Sequence, residues 1–453
     1  MSPRNDSNVE RLKRTIIAIL SVLFAVTADA TNPHTGLPVC VITLYPGDTD
    51  IPRFEYIPAT ICIIQETDTL LYPTELLIAG RGNSTWWYPK RPYKLKFYNK
   101  TELLGIQAGK TFALLANYCD KSLMRTAIGF AVGRVIQQPW VPDSRFVELV
   151  INDTHLGTYQ LTESVKVSKD RVQLSKTGFL IEYDTHYYQA NYSFHTQQNE
   201  YPIAFKHPDN DMPAGLFDYT CRYMNEFEEA LNAADYRQTR RYADYINIES
   251  FAKWYYQKNI LQMEESNRYY QKADSTNDSK LCMGTLWDFE WCLGIGLYYG
   301  DVRPNPNHRM ENKLYFARIA QDPVFMREVA KLHHKYRNIV RDSVLATYDK
   351  LSTLLAQSQE ENFKLWPILN QQVSIGAQPL GSWQAEVECD RQFFLNHLEF
   401  LDKQLQPYMP TSVTATSEDT HSVTIYNLSG NKICRKNLRK GLYIINGRKV
   451  LVK

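Results

Sequence analysis

The sequence predicts an α+β protein with a β-rich part first and a helical part after it. Three observations predict this. Short runs of alternating apolar residues, bounded by Pro, Gly and Asp, continue to about residue 185. From about residue 210 the apolar residues recur at three- and four-residue steps instead. Finally, 44% apolar and 22% charged residues in a chain of 453 supply a substantial core. A β-rich half followed by a helical half permits two lobes with a cleft between them.

In chain order, the first element is an address. Arg11, Lys13 and Arg14 precede an apolar run from Ile16 to Val26, and Ala28-Asp29-Ala30 follows as a small-x-small cleavage pattern. Residues 1–30 are expected to be a signal peptide and the mature chain to be exported, to the periplasm, the cell surface or the medium. No later stretch approaches ~18 consecutive apolar residues, so no transmembrane segment is expected in the mature chain.

Four strands are predicted next, in "LPVCVITL", "ATICIIQ", "TELLIAG" and "YKLKF". In the last, Tyr93, Leu95 and Phe97 share one face and leave Lys94 and Lys96 on the other. An Arg-Gly-Asn-Ser-Thr turn, Arg81 to Thr85, immediately precedes it. Turn N–H groups converging with a lysine suit an anion such as phosphate. Residues Asp120 to Val135 read as a helix, and "RFVELVINDTHLGTYQLTESV" reads as a hairpin turning at Asn152-Asp153. "GFLIEYD" is a further strand.

The helical part opens with Tyr223, Phe227 and Leu231 on one face, then Phe251, Trp254, Tyr255 and Leu261 on another. "RYYQKA" and "KLCMGTLWDF" form a strand pair across the loop "DSTNDS". Helices fill residues 321–364 and 384–406, the latter striped by Val387, Phe394, Leu398, Leu401 and Leu405. A Ser/Thr-rich linker, residues 409–422, leads to three short strands in residues 423–453.

A formal charge of +2 gives no electrostatic case for nucleic acid. The eight cysteines contain no C-x-x-C pair and fit no zinc spacing, so buried free thiols are expected. His333-His334 reads as a solvated helix face. In "GTLWDFEWCLGIG", Asp288 is a carboxylate at a strand end among aromatics, a position suited to a divalent metal that completes its shell with phosphate oxygens. Glu264-Glu265 places a second acid at a helix end.

Four stretches then occur in a telling order: "RGNSTWWYPKRPYKLKF", "LLANYCDKSLMRTAIGF", "RFVELVINDTHLGTYQLTESVKVSKDRV" and "WDFEW". From about Leu37 to Phe400 the chain resembles the CotH kinase family, in an exported Bacteroidetes form. The resemblance implies an atypical protein-kinase-like fold over residues 31–408. Its β-rich N-lobe would cover about 31–205 and its helical C-lobe about 206–408, with ATP between them. It implies Lys96, with Lys94 pointing the same way, as the lysine that meets phosphate, and Arg81, Asn83 and Ser84 as the nucleotide-facing turn. It also implies Asp288 and Glu265 as catalytic, metal-binding carboxylates, joined on the metal by Glu290, with Mg²⁺ or Mn²⁺ as the ion. The implied reaction transfers the ATP γ-phosphoryl group to Ser/Thr of exported proteins or of the chain itself.

This chain departs from the family in two places. Met263 stands where the family has Asn, and Glu265 where it has Asp. The extra methylene displaces the carboxylate by about 1 Å, which can cost ~100-fold in rate. The alternative is therefore a catalytically impaired kinase-fold surface protein that serves binding or adhesion. A carbohydrate-associated role is a third reading, prompted by Trp86, Trp87 and Trp140. Residues 423–453 resemble the sorting domains that end many secreted Bacteroidetes proteins.

Overall fold

The alternating strands of the first part close on themselves. In a computed structural model, the described residues are 33–45, 50–263, 268–296, 300–304, 313–373, 378–409, 425–426, 441–445 and 448–452. The expected signal peptide, the linker beyond its first residue, and Glu265 lie outside them. The chain divides into two compact units, Met1–Met409 and Pro410–Lys453.

The first unit is a mixed α+β structure. Seven strands form a closed barrel: β1 (Val39–Leu44), β2 (Ile57–Gln65), β3 (Asp68–Gly80), β4 (Tyr93–Leu103), β5 (Ile106–Leu115), β6 (Ser144–Ile151) and β7 (Thr154–Glu163). Their order is β1-β2-β3-β4-β5-β7-β6. The other neighbours pair antiparallel, and the barrel shuts through a parallel pairing of β1 with β6, Val39 opposite Glu148. Closure removes both exposed sheet edges, which an open sheet would leave as pairing hazards. The inward residues of each strand, among them Ile42, Ile61, Ile78, Leu95, Phe112, Leu149 and Leu161, fill the interior. Strand β5 was not among the predicted strands. It follows β4 through a tight turn in which Leu104 and Gly105 both have positive φ, and Gly105 supplies that conformation without steric cost.

Helix α1 (Arg125–Val135) lies between β5 and β6 in the chain and starts five residues later than predicted. The delay has a local cause. The Asp120 side chain accepts from the Ser122 N–H, the Ser122 hydroxyl and the Arg125 N–H, and Leu123 has φ +63. Residues 120–124 are thus a carboxylate-capped turn.

A second sheet has the order β12-β11-β8-β10-β9, built from β8 (Phe179–Tyr183), β9 (Ser193–His195), β10 (Pro202–His207), β11 (Arg268–Lys272) and β12 (Cys282–Met283). Its strands come from both sides of residue 206, because β8 pairs with β10 on one edge and β11 on the other. The longer helices of the unit are α2 (Leu216–Asn232), α3 (Ile248–Ile260), α4 (Pro323–Leu354), α5 (Ser358–Leu365) and α6 (Trp383–Leu405). Helices α1, α3 and α6 pack on α4, while α5 packs on barrel strand β7. Asp322 caps α4 through the Val324 N–H at 2.8 Å, and Pro323 occupies the first turn, where its missing N–H costs nothing.

His333 is not on a solvated face. It is buried, with Nε2 2.7 Å from Asp402 and its ring against Tyr256; the exposed partner is His334. The seven described cysteines are free thiols. No described helix is long and apolar enough to cross a membrane. In the second unit, Ile425–Tyr426, Gly441–Ile445 and Arg448–Val452 pair as a three-stranded antiparallel sheet.

Candidate functional site

The Arg-Gly-Asn-Ser-Thr turn is built by its neighbours. The Gly80 N–H donates to the Pro52 carbonyl, the Phe54 N–H to the Gly80 carbonyl, and the Arg81 N–H to the Pro92 carbonyl. Gly82 has φ +89, and a Cβ there would lie 2.0 Å from Thr85 Oγ1, so only glycine fits. Arg53 fixes the outer side, Nε donating to the Gly82 carbonyl at 3.1 Å and Nη2 to Asn83 Oδ1 at 2.9 Å. The turn forms one wall of a cavity of about 780 Å³.

The opposite walls come from the second sheet and the segment after β12. Arg81, Asn83 and Ser84 line this cavity, and so do Asp288 and Glu290. Five of the residues picked out in the sequence are therefore brought together. Asp288 does not end a strand, as sequence reading places it. The chain leaves the sheet after Met283, and Asp288 sits in a turn with φ +68, exposed to the cavity. The Arg81 guanidinium carbon lies 5.6 Å from the Trp287 ring centroid. Burial pushes Arg81 down, while the neighbouring Asp288 and Glu290 charges oppose that shift. Glu290 Oε1 accepts the Cys119 N–H at 2.9 Å. Burial, reinforced by Asp288, raises the Glu290 carboxyl to about 7 despite that bond.

Lys94 and Lys96 are not among the residues lining the cavity. They stand on the outer face of β4, as the alternation predicts, with Lys94 Nζ 5.4 Å from the centroid of the Phe54 ring, which does line it. Lys96 Nζ lies over Tyr56 at 5.5 Å. Of the carboxylates expected on a metal, Glu265 falls outside the described residues.

Lys206, Glu182, Asp184 and Lys90 also line the cavity, and all four were missed in the sequence. Lys206 Nζ is held 2.8 Å from Glu182 Oε2 and 2.8 Å from Asp184 Oδ2. The register of β10 against β8 slips between Phe205 and His207, so Lys206 occupies a bulge, a device that re-aims a side chain. Burial alone would lower Lys206, but Glu182 and Asp184 overcome it and the ammonium is held above its usual range. Glu182 itself is raised to about 7 by burial, in spite of Lys206. A usable signal existed: in "GFLIEYD" the alternation puts a carboxylate on a buried strand face, which is rare unless it is paired. Lys90 carries no such signal. It is 2% exposed, donates to the Thr158 carbonyl and, at 2.8 Å, to Asn362 Oδ1, and burial pushes it down to about 7.

Among the described residues no three His, Cys, Asp or Glu side chains gather as a preformed metal cage. Asp288 and Glu290 nevertheless fit a hard divalent ion that keeps water and phosphate oxygens for the rest of its shell. One oxygen of Glu290 is engaged by the Cys119 N–H.

No curated protein matches the chain. The model of the CotH kinase protein family matches residues 78–401, from the end of β3 into α6, a span that includes the glycine-rich turn, Lys206, Asp288 and Glu290. With the match covering most of the sequence, the chain belongs to the CotH kinase protein family.

Proposed function

We propose that the protein is an exported, metal-dependent phosphotransferase that moves the γ-phosphoryl group of ATP to Ser/Thr hydroxyls of exported proteins or of itself. The observation that carries this reading is one cavity lined by Arg81, Lys206, Asp288 and Glu290. Phosphoryl transfer rests on positioning and charge neutralisation, and these are the groups it requires. In this reading Asp288 and Glu290 hold Mg²⁺ or Mn²⁺, with Glu265 as a further carboxylate. Arg81, Lys206 and the Asn83-Ser84 turn receive the phosphates. The ion would neutralise phosphate charge when bound. The barrel and the helical part then act as two lobes, and residues 423–453 as a sorting domain of the Bacteroidetes type.

Calorimetric titration with ATP tests this, with and without Mg²⁺ or Mn²⁺, followed by a labelled-phosphate assay on the same sample. Metal-dependent saturation is expected, and its absence would overturn the reading. Lys206→Ala should weaken ATP binding by about 10- to 100-fold, because it removes a cation and leaves Glu182 and Asp184 uncompensated beside the phosphates.

One observation favours the second reading, a kinase-fold binding protein with impaired catalysis. Met263 is fully buried, so this position offers no side-chain ligand where the family has Asn. Glu265→Asp separates the two readings. If the longer acid is the handicap, the variant should transfer phosphate faster at unchanged ATP affinity. Slower transfer by the variant would mark Glu265 as tuned to its task.

A further inference from the structure

Lys94 and Lys96 carry the inference, together with the Arg53-Phe54 bend, whose ring lies near Lys94. Phe54 has φ +69, a left-handed conformation that is a true outlier for a bulky side chain. The conformation is held by the Phe54 N–H bond to the Gly80 carbonyl and by the pairing of Arg53 with Gly80. It leaves the ring 43% exposed at the cavity mouth, beside Trp87 at 77%. Strain of this kind persists where the fold enforces it, and it clusters at working sites.

Three cations are packed on this aromatic ledge. The Arg53 guanidinium carbon lies 4.3 Å from the Phe54 centroid and 5.8 Å from that of Trp87. Lys94 Nζ lies 5.4 Å from both Phe54 and Tyr56, and Lys96 Nζ 5.5 Å from Tyr56. Among the described residues none of the three has a carboxylate partner in an ion pair; the nearby Asp50 is taken by Arg91 at 3.3 Å. Burial and the Arg81 charge both push Lys94 down, so a negative group arriving here would be favoured.

We propose that this ledge is the docking surface for the acceptor, and that the acceptor is an acidic polypeptide segment bearing Ser or Thr. The inference rests on the phosphotransferase reading above. A cavity of about 780 Å³ has the size of a small-ligand site. A nucleotide fills it, and a protein acceptor must then lie across the mouth. There it meets exposed aromatic rings, which suit peptide contact, and three cations without carboxylate partners, which select Asp and Glu beside the hydroxyl.

The probe is a fluorescent peptide with the sequence of residues 414–422, TATSEDTHS, compared with the same peptide carrying Glu418→Lys and Asp419→Lys. Anisotropy titration of the full chain should show the acidic peptide binding at least about fivefold more tightly at low salt. The preference should fade towards 1 M salt, as rim electrostatics do. Lys96→Glu, at an exposed position, should abolish the preference, and Lys94→Gln should reduce it. Equal binding of the two peptides, or an unchanged preference in both variants, would overturn the proposal. So would binding of anionic phospholipid vesicles, sensitive to Lys96→Glu, without binding of the peptide. Peptide binding is read without catalysis, so failure of the ledge and failure of nucleotide binding are separate results.

Discussion

Asp288→Asn is expected to abolish metal-dependent ATP binding and to lower any phosphoryl transfer by about a thousandfold, with the melting temperature nearly unchanged. The two halves of this result have separate causes. Asp288 is exposed to the cavity, so its charge is not part of the buried core. Its backbone has φ +68, a conformation that Asn tolerates as well as Asp, so the turn should survive the change. What is lost is the anionic oxygen that faces Arg81 and that would hold a hard cation. Calorimetric titration with ATP and Mg²⁺ reads the binding, and a thermal melt reads the fold. A variant that still binds ATP in a metal-dependent way would show that the cation is held elsewhere. A variant that unfolds would show that Asp288 belongs to the scaffold.

Arg125→Met should destabilise the first unit by about 3–5 kcal/mol, the usual cost of removing one partner from a buried ion pair. Arg125 is 1% exposed. Its Nη1 donates to Asp120 at 2.6 Å, its Nη2 to Asp390 at 2.5 Å and its Nε to the Cys292 carbonyl at 3.2 Å. It therefore ties the Asp120 turn to α6 and to the segment that carries Asp288. Asp390 Oδ2 is buried without a hydrogen-bond partner, and burial, against the pull of Arg125, raises this carboxyl to about 7. An unfolded Asp titrates near 3.9. The stability that the raised group contributes is thus full below about pH 4 and is lost as pH rises through about 7. Without Arg125 the ionised form loses its counter-charge, so the variant should be further below wild type at pH 8 than at pH 5. Denaturant unfolding at the two pH values measures this. A gap that is equal at both, or larger at pH 5, would remove Asp390 from the account.

Much of the local structure was legible in the sequence because side-chain periodicity is a local property. The outward face of β4, the hairpin at Asn152-Asp153, the strand pair across "DSTNDS" and the faces of α3 and α6 all follow from residues a few positions apart. The sequence also singled out the glycine-rich turn and Asp288, because Gly82 and an acid among aromatics are visible without a partner. Other features required distant residues to meet. Barrel closure depends on β1 finding β6 more than a hundred residues later, and alternation is the same in an open sheet and a closed one. Lys206 joins the cavity through a bulge set by its pairing with β8, and His333 is buried because Asp402 reaches it from another helix. Lys94 and Lys96 show the division most clearly. Their shared face was fixed by a two-residue repeat. That this face meets Phe54 and Tyr56 at the mouth of the cavity, outside its lining, was decided by tertiary packing, since a repeat fixes direction from the strand but not what stands opposite.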